Sequence, residues 1–270
     1  MLLSDKFVYI HYPKTGGTFV TETLQKIHGN RGYKNATIGK IGQWFGNVGG
    51  GMIDTASQGT KHATCRDIPP AFRRKLAFST VRNPYERYVS GYSFGWWKKY
   101  PQDFMLDVET IVREYPHYPE ISFSEYVHIV NTYHYFRTLN TPRLHPDNVV
   151  GQRTYEIIRF FFKEPPETIF PKLSDEYIET RQYQEDLYPV HFLKMNDLNR
   201  ELYEFLVKAG YDPKEINFIL EAEKVLPSLP PGGIRRSHKS WQDYYTPELK
   251  AFVRQRDRMV FAIFPEFDVK

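Results

Sequence analysis

The sequence predicts an α/β fold in which a central, mostly parallel sheet is flanked by helices in three layers. Two short apolar runs, residues 6–11 and 76–81, each stop at a Pro-containing turn and are each followed by a helical pattern. A third apolar run at 189–195 leads into another helix in the same way. The 270 residues, 41% apolar and 25% charged, suit one large domain, taken as 1–270, since no linker or internal repeat divides them.

The first run, Lys6-Phe7-Val8-Tyr9-Ile10-His11, is rich in β-branched and aromatic residues and ends before Pro13. A glycine pair follows. Phe19, Val20, Leu24 and Ile27 then recur at helical spacing, with Thr18 placed as the N-cap of a helix over 18–27. Residues 30–59 turn Gly-rich, which predicts a long loop carrying Trp44 and Phe45. Pro69 and Pro70 open a short helix, 76–81 is the second strand, and Asn83-Pro84 turns into a helix with Tyr85, Tyr88, Val89 and Tyr92 on one side. The middle of the chain reads as helical with proline interruptions, and 123–136 is its best amphipathic segment. Beyond the third strand, a helix over 198–208 ends at Gly210, 226–233 is a Pro/Gly loop, and a last helix covers 247–261.

Composition narrows the function classes. The net charge is only +4, and the basic residues are mixed with acidic ones rather than gathered on one stretch, which argues against a nucleic-acid partner. Two short basic clusters, Arg73-Arg74-Lys75 and Arg235-Arg236 with Lys239, fit either a solvated surface or a phosphate site. The single cysteine, Cys65, allows no internal disulfide. No stretch has the length of a membrane span, and no Cys cluster, H-E-x-x-H or Asp-rich signature asks for a metal.

The chemistry sits at the strand ends. A strand running through a glycine loop into a helix is an anion site, because the unpaired N–H groups and the helix dipole both face the loop. In Pro13-Lys14-Thr15-Gly16-Gly17-Thr18, the glycines admit close approach, Lys14 adds charge and the threonines add hydroxyl donors. The layout is P-loop-like, which makes the expected fold P-loop-like as well. The triphosphate version, G-x-x-x-x-G-K-[ST], is absent: Lys14 precedes the glycines, and no first glycine stands where that pattern needs one. A second strand–turn–helix runs from Val81 to Tyr92, with Arg82 at the strand end and Ser90 two helical turns on. Two such segments suit a ligand with two separated anionic groups.

These two segments resemble the 5′-phosphosulfate loop and the 3′-phosphate motif of sulfotransferases. The pattern is similar to the carbohydrate-type branch, with its Golgi and bacterial members. Lys61-His62-Ala63-Thr64 and Ser237-His238-Lys239-Ser240-Trp241 resemble that branch too. The resemblance implies 3′-phosphoadenosine 5′-phosphosulfate as donor, adenosine 3′,5′-bisphosphate as product, no metal, and a small-molecule or carbohydrate acceptor. It implies that Pro13 to Phe19 bind the donor, with Lys14 on the oxygen bridging phosphate and sulfate. It places Gly16, Gly17 and Thr18 on the 5′-phosphate, and Arg82 and Ser90 on the 3′-phosphate. His62 is the implied general base, with His11 and then His238 as rivals and a carboxylate, since some relatives use Glu, as a further alternative. Arg235, Arg236 and Lys239 would clamp the donor and Trp241 would stack on its adenine, although the Arg-Lys-Gly pattern of the family is not reproduced there. Trp44, Trp96 and Trp97 are candidates for an acceptor wall. The expected setting is a cytoplasmic bacterial-type enzyme, or the Golgi lumen for a chain that has lost an anchor. A nucleotide-dependent kinase and a non-catalytic anion- or nucleic-acid-binding module remain as alternatives.

Overall fold

A computed structural model describes residues 1–29, 44, 46–55, 62–101, 108–132, 150–223, 225 and 240–268. Its strands are β1 (Leu2–Ser4), β2 (Phe7–Ile10), β3 (Met52–Asp54), β4 (Leu76–Val81) and β5 (Val190–Lys194). The longer helices are α1 (Gly17–His28), α2 (Pro84–Phe94), α3 (Phe123–Thr132), α4 (Gln152–Phe161), α5 (Leu198–Lys208), α6 (Pro247–Arg256) and α7 (Arg258–Ile263). The chain separates into two compact units, Met1–Arg82 with Tyr188–Pro227, and Asn83–Leu187 with Ser228–Lys270.

The first unit holds the sheet, in the order β3-β1-β2-β4-β5. β2 pairs in parallel with β4, and β4 with β5; β1 is antiparallel to both β2 and β3. Four strands therefore share one direction and β1 alone runs against them, so the sheet is mostly parallel as expected. β2 is buried along its whole length and β4 after its first residue, as central parallel strands covered on both faces must be. β5, with exposed His191, forms an edge. Phe7, Tyr9 and Phe78 from the sheet pack with Phe19, Val20 and Leu24 of α1 and with Leu202, Phe205 and Leu206 of α5 in one apolar core.

Sequence patterning places β2, β4 and β5 within a residue or two of their ends and misses β1 and β3. Each of those has only three residues, too few to show a period, and each gains its stability from pairing with distant residues. The basic cluster at 73–75 proves partly structural. Arg73 Nε donates to the Ile68 carbonyl at 3.2 Å, and Lys75 Nζ donates to the Asp5 and Gly46 carbonyls at 3.0 and 2.5 Å.

The second unit is helical in its described residues. Asn83 caps α2 by accepting from the Tyr85 N–H, Pro84 stands at its first position, and Gly95 closes it at φ 71°. The expected helix over 123–136 is described as far as Thr132, and its last four residues lie outside the described residues. The expected helix over 247–261 is two helices, α6 and α7, broken at Asp257. The break has a cause: the Asp257 carboxylate is fully buried and accepts from Tyr88 Oη at 2.7 Å and from the Thr154 N–H at 2.9 Å. Burial lifts its carboxyl above the usual carboxylate range, and the Tyr88 hydrogen bond pulls the other way. Beside it, Glu156 pairs with buried Arg87 at 3.0 Å and with buried Arg153 at 2.8 Å, so each desolvated guanidinium has a carboxylate partner.

Candidate active site

The loop after β2 is shaped by two left-handed residues, Lys14 at φ 65° and Gly16 at φ 99°. The left-handed φ suits Gly16, and a Cβ there would also meet Leu198 Cδ2 at 2.7 Å, so that the end of this leucine would have to shift. A lysine held in this region costs of order 1 kcal/mol, and such strain persists where the surroundings impose it. Left-handed residues separated by one ordinary residue turn backbone N–H groups toward a common side, the geometry of an anion-binding nest. α1 begins directly at Gly17, with Gly16 as N-cap, and not at Thr18 as the sequence suggested. The reason is that Gly16 already turns the chain, so the first intrahelical bond runs from the Val20 N–H to the Gly16 carbonyl at 3.3 Å. No side chain caps this end and no carboxylate occupies its first turn, so its donors and dipole face whatever the loop holds.

Thr15 is fully buried, and its Oγ1 donates to the Tyr12 carbonyl and meets Thr80 Oγ1, both at 2.7 Å. Its hydroxyl thus fastens the loop to β4, and its backbone N–H is what it can offer an anion. Thr18 is half-buried in the first turn of α1. Gly17 is buried because the His11 ring fills its side-chain space: a Cβ would lie 2.1 Å from His11 Cδ2 and Nε2, and 3.1 Å from Tyr9 Oη. Tyr9 is fully buried, and burial pushes its phenol well above the ordinary range, which keeps it protonated. His62 is exposed, yet its ring stacks on His11 with centroids 5.1 Å apart and planes 18° from parallel, and its Nδ1 lies 3.4 Å from the His11 carbonyl. Thr64 and Asp67 anchor the chain that follows. The Thr64 N–H and Oγ1 both donate to Asp67 Oδ2, at 2.7 and 2.9 Å.

The structure therefore brings together Lys14, the glycine turn, the start of α1, His11 and His62 within the first unit. Half-buried Arg82 directly follows β4 and ends the first of that unit's two segments. Ser90, half-buried on α2, belongs to the second unit. Trp241, also of the second unit, is 9% exposed; its ring lies parallel to Tyr85 at 5.2 Å and edge-on to Tyr245 at 5.9 Å. Arg235, Arg236, His238 and Lys239 lie outside the described residues. Of the three candidate wall residues, Trp44 is 82% exposed, Trp96 is half-buried against Phe94 and Tyr100, and Trp97 is in the core.

Residues 3–155, more than half of the chain, match the sequence model of the Sulfotransferase family. The chain belongs to the sulfotransferase family. The match runs from β1 into α4 and so includes the glycine turn, His62, Arg82 and Ser90 of this sulfotransferase. It is consistent with the carbohydrate-type branch. No curated protein and no solved structure matches the chain. Among the described residues of the enzyme, no group of three or more His, Cys, Asp or Glu side chains could hold a metal ion, and no helix is long and apolar enough to cross a membrane. Cys65 is buried, and burial pushes its thiol up to about 12, which favours the protonated form at neutral pH.

Sequence reading did not connect His11 with Gly17. The signal was available in the alternation of β2: Tyr9 and His11 are two residues apart and so point to the same face of the sheet. The Asp257 and Glu156 clusters left no comparable trace, because their members are scattered from Arg87 to Asp257.

Proposed function

We propose that this sulfotransferase moves the sulfuryl group of 3′-phosphoadenosine 5′-phosphosulfate to a hydroxyl of a carbohydrate or small natural product, an amine being the lesser acceptor. The observation that carries the reading is the glycine turn, with left-handed Lys14 and Gly16 leading into an uncapped α1. A P-loop-like cradle of this kind fits a phosphosulfate through backbone donors, helix dipole and one lysine. The sulfotransferase family sets aside the kinase and the non-catalytic module.

In this reading Gly16, Gly17 and Thr18 hold the 5′-phosphate through backbone N–H groups and the Thr18 hydroxyl, within a donor-binding segment that runs from Pro13 to Phe19. Lys14 neutralises charge on the bridging oxygen as the S–O bond breaks and adenosine 3′,5′-bisphosphate leaves. Arg82 binds the 3′-phosphate through a charge-assisted contact, with Ser90 as its partner in the motif. His62 accepts the proton of the acceptor hydroxyl as its oxygen bonds to sulfur, and no metal is called for. Arg235, Arg236, Lys239 and Trp241 remain assigned to the donor on the sequence resemblance, within one sulfotransferase domain spanning 1–270. A net charge of only +4 favours a neutral sugar unit or small molecule over a long polyanion, and the single cysteine suits a cytoplasmic setting.

Calorimetry with adenosine 3′,5′-bisphosphate and ATP tests the donor. Tight binding of the bisphosphate with none of ATP is expected, and Arg82→Ala should weaken it about tenfold or more. Binding of ATP alone, or unchanged bisphosphate affinity in Arg82→Ala, would defeat the assignment.

A further inference from the structure

Beside the donor loop, the ring of His11 stacks on that of His62. His11 is 8% exposed and is held from two further sides, by Gly17 beneath it and by the Tyr9 ring edge-on at 6.0 Å. A neutral imidazole carries one N–H, and the partner of one nitrogen decides which nitrogen keeps the lone pair. The His11 carbonyl can only accept, and it faces Nδ1 of His62 at 3.4 Å. Contact with it favours the proton on Nδ1 and leaves Nε2 as the basic atom. At that distance the hydrogen bond is long, and the parallel ring of His11 adds a second contact that fixes the ring plane.

We propose that His11 is a positioning residue for His62. Its ring and carbonyl select the Nδ1–H tautomer and present Nε2 as the proton acceptor, and its seat on Gly17 ties that orientation to the first residue of α1. The inference rests on the reading of His62 as the base. It explains why a histidine is buried at the end of β2 and why position 17 has no side chain.

The test is long-range ¹H–¹⁵N correlation spectroscopy of the histidine rings in the full chain, above the imidazole titration range at about pH 8, with and without adenosine 3′,5′-bisphosphate. In the unmodified protein the His62 signals, assigned by their loss in His62→Ala, should report the Nδ1–H form. His11→Ala should shift them toward the Nε2–H form that free histidine prefers. His11→Phe, which keeps a flat ring, should retain the Nδ1–H pattern, and bisphosphate affinity should stay within about twofold throughout. An Nε2–H form in the unmodified protein overturns the proposal, as does a pattern unmoved by His11→Ala. If His11→Ala does not fold, the unmodified protein and His11→Phe still decide. Failure of the base reading looks different: His62→Ala would then keep near-normal sulfuryl transfer whatever tautomer the spectra report.

Discussion

Replacing Gly17 by alanine sets two effects against each other. In a helix, alanine is favoured over glycine by up to about 1 kcal/mol, and less in the first turn, so a Gly17 with open space around it would gain stability on substitution. Here the new methyl would stand 2.1 Å from two atoms of the His11 ring. Ordinary carbon contacts need about 3.5 Å, so the ring must retreat by roughly 1.4 Å. It is boxed in by Tyr9 and His62, and overpacking of this kind costs about 1–3 kcal/mol. The net is a loss of about 0–3 kcal/mol, up to roughly 10 °C in Tm. A displacement of this size next to the base should cost about 100-fold in turnover. The substitution keeps the backbone N–H, so donor affinity should fall far less. Thermal unfolding, bisphosphate calorimetry and transfer assays on one preparation read all three quantities. In Gly17→Ala/His11→Ala the clash is gone, and the Tm should recover to that of His11→Ala or above. A Gly17→Ala protein that is more stable and equally active would refute the contact and the role given to it.

Four further substitutions separate charge, strain, burial and pH dependence. Lys14→Ala and Lys14→Gly should both lose about 100-fold or more in turnover, because both lose the cation. The glycine variant should be the more stable of the two by about 1 kcal/mol in denaturant melts, since only it accepts φ 65° without strain. Asp257→Ala should destabilise the protein by about 3 kcal/mol in urea unfolding, as Tyr88 and the Thr154 N–H lose a buried acceptor. His28 concerns pH. Burial lowers its pKa, its Nδ1 lies 3.2 Å from the Gly50 carbonyl, and its Nε2 lies 3.0 Å from Tyr211 Oη. The unfolded chain therefore takes up this proton first, so the stability His28 contributes is present above the ordinary imidazole range and is lost as pH falls through it. The fall in Tm between neutral and mildly acid pH should be smaller in His28→Gln than in the unmodified protein.

What could be read from the sequence follows from how local each feature is. β2, β4 and β5 are runs of buried apolar residues closed by turns, and the glycine turn, Arg82 and Ser90 lie in short contiguous motifs. β1 and β3 are three residues each and pair with one another across about fifty positions of sequence, which no local period reports. The split between α6 and α7 was invisible for a related reason. The apolar spacing runs on past Asp257, and only its buried partners from α2 and α4 reveal that this residue points inward. At the site, residue types announced an anion loop, whereas the stack of His11 on His62 and the left-handed φ of Lys14 required coordinates.

The central claim is that the Lys14 turn serves sulfuryl transfer from 3′-phosphoadenosine 5′-phosphosulfate. Incubation with radiolabelled donor and a panel of sugars, glycosides and small hydroxylated compounds tests it most directly, with Lys14→Ala and His62→Ala run in parallel. Label should appear on at least one hydroxyl acceptor with adenosine 3′,5′-bisphosphate released in equal amount, and both should be lost in each variant. Label transfer that persists undiminished in Lys14→Ala would contradict it.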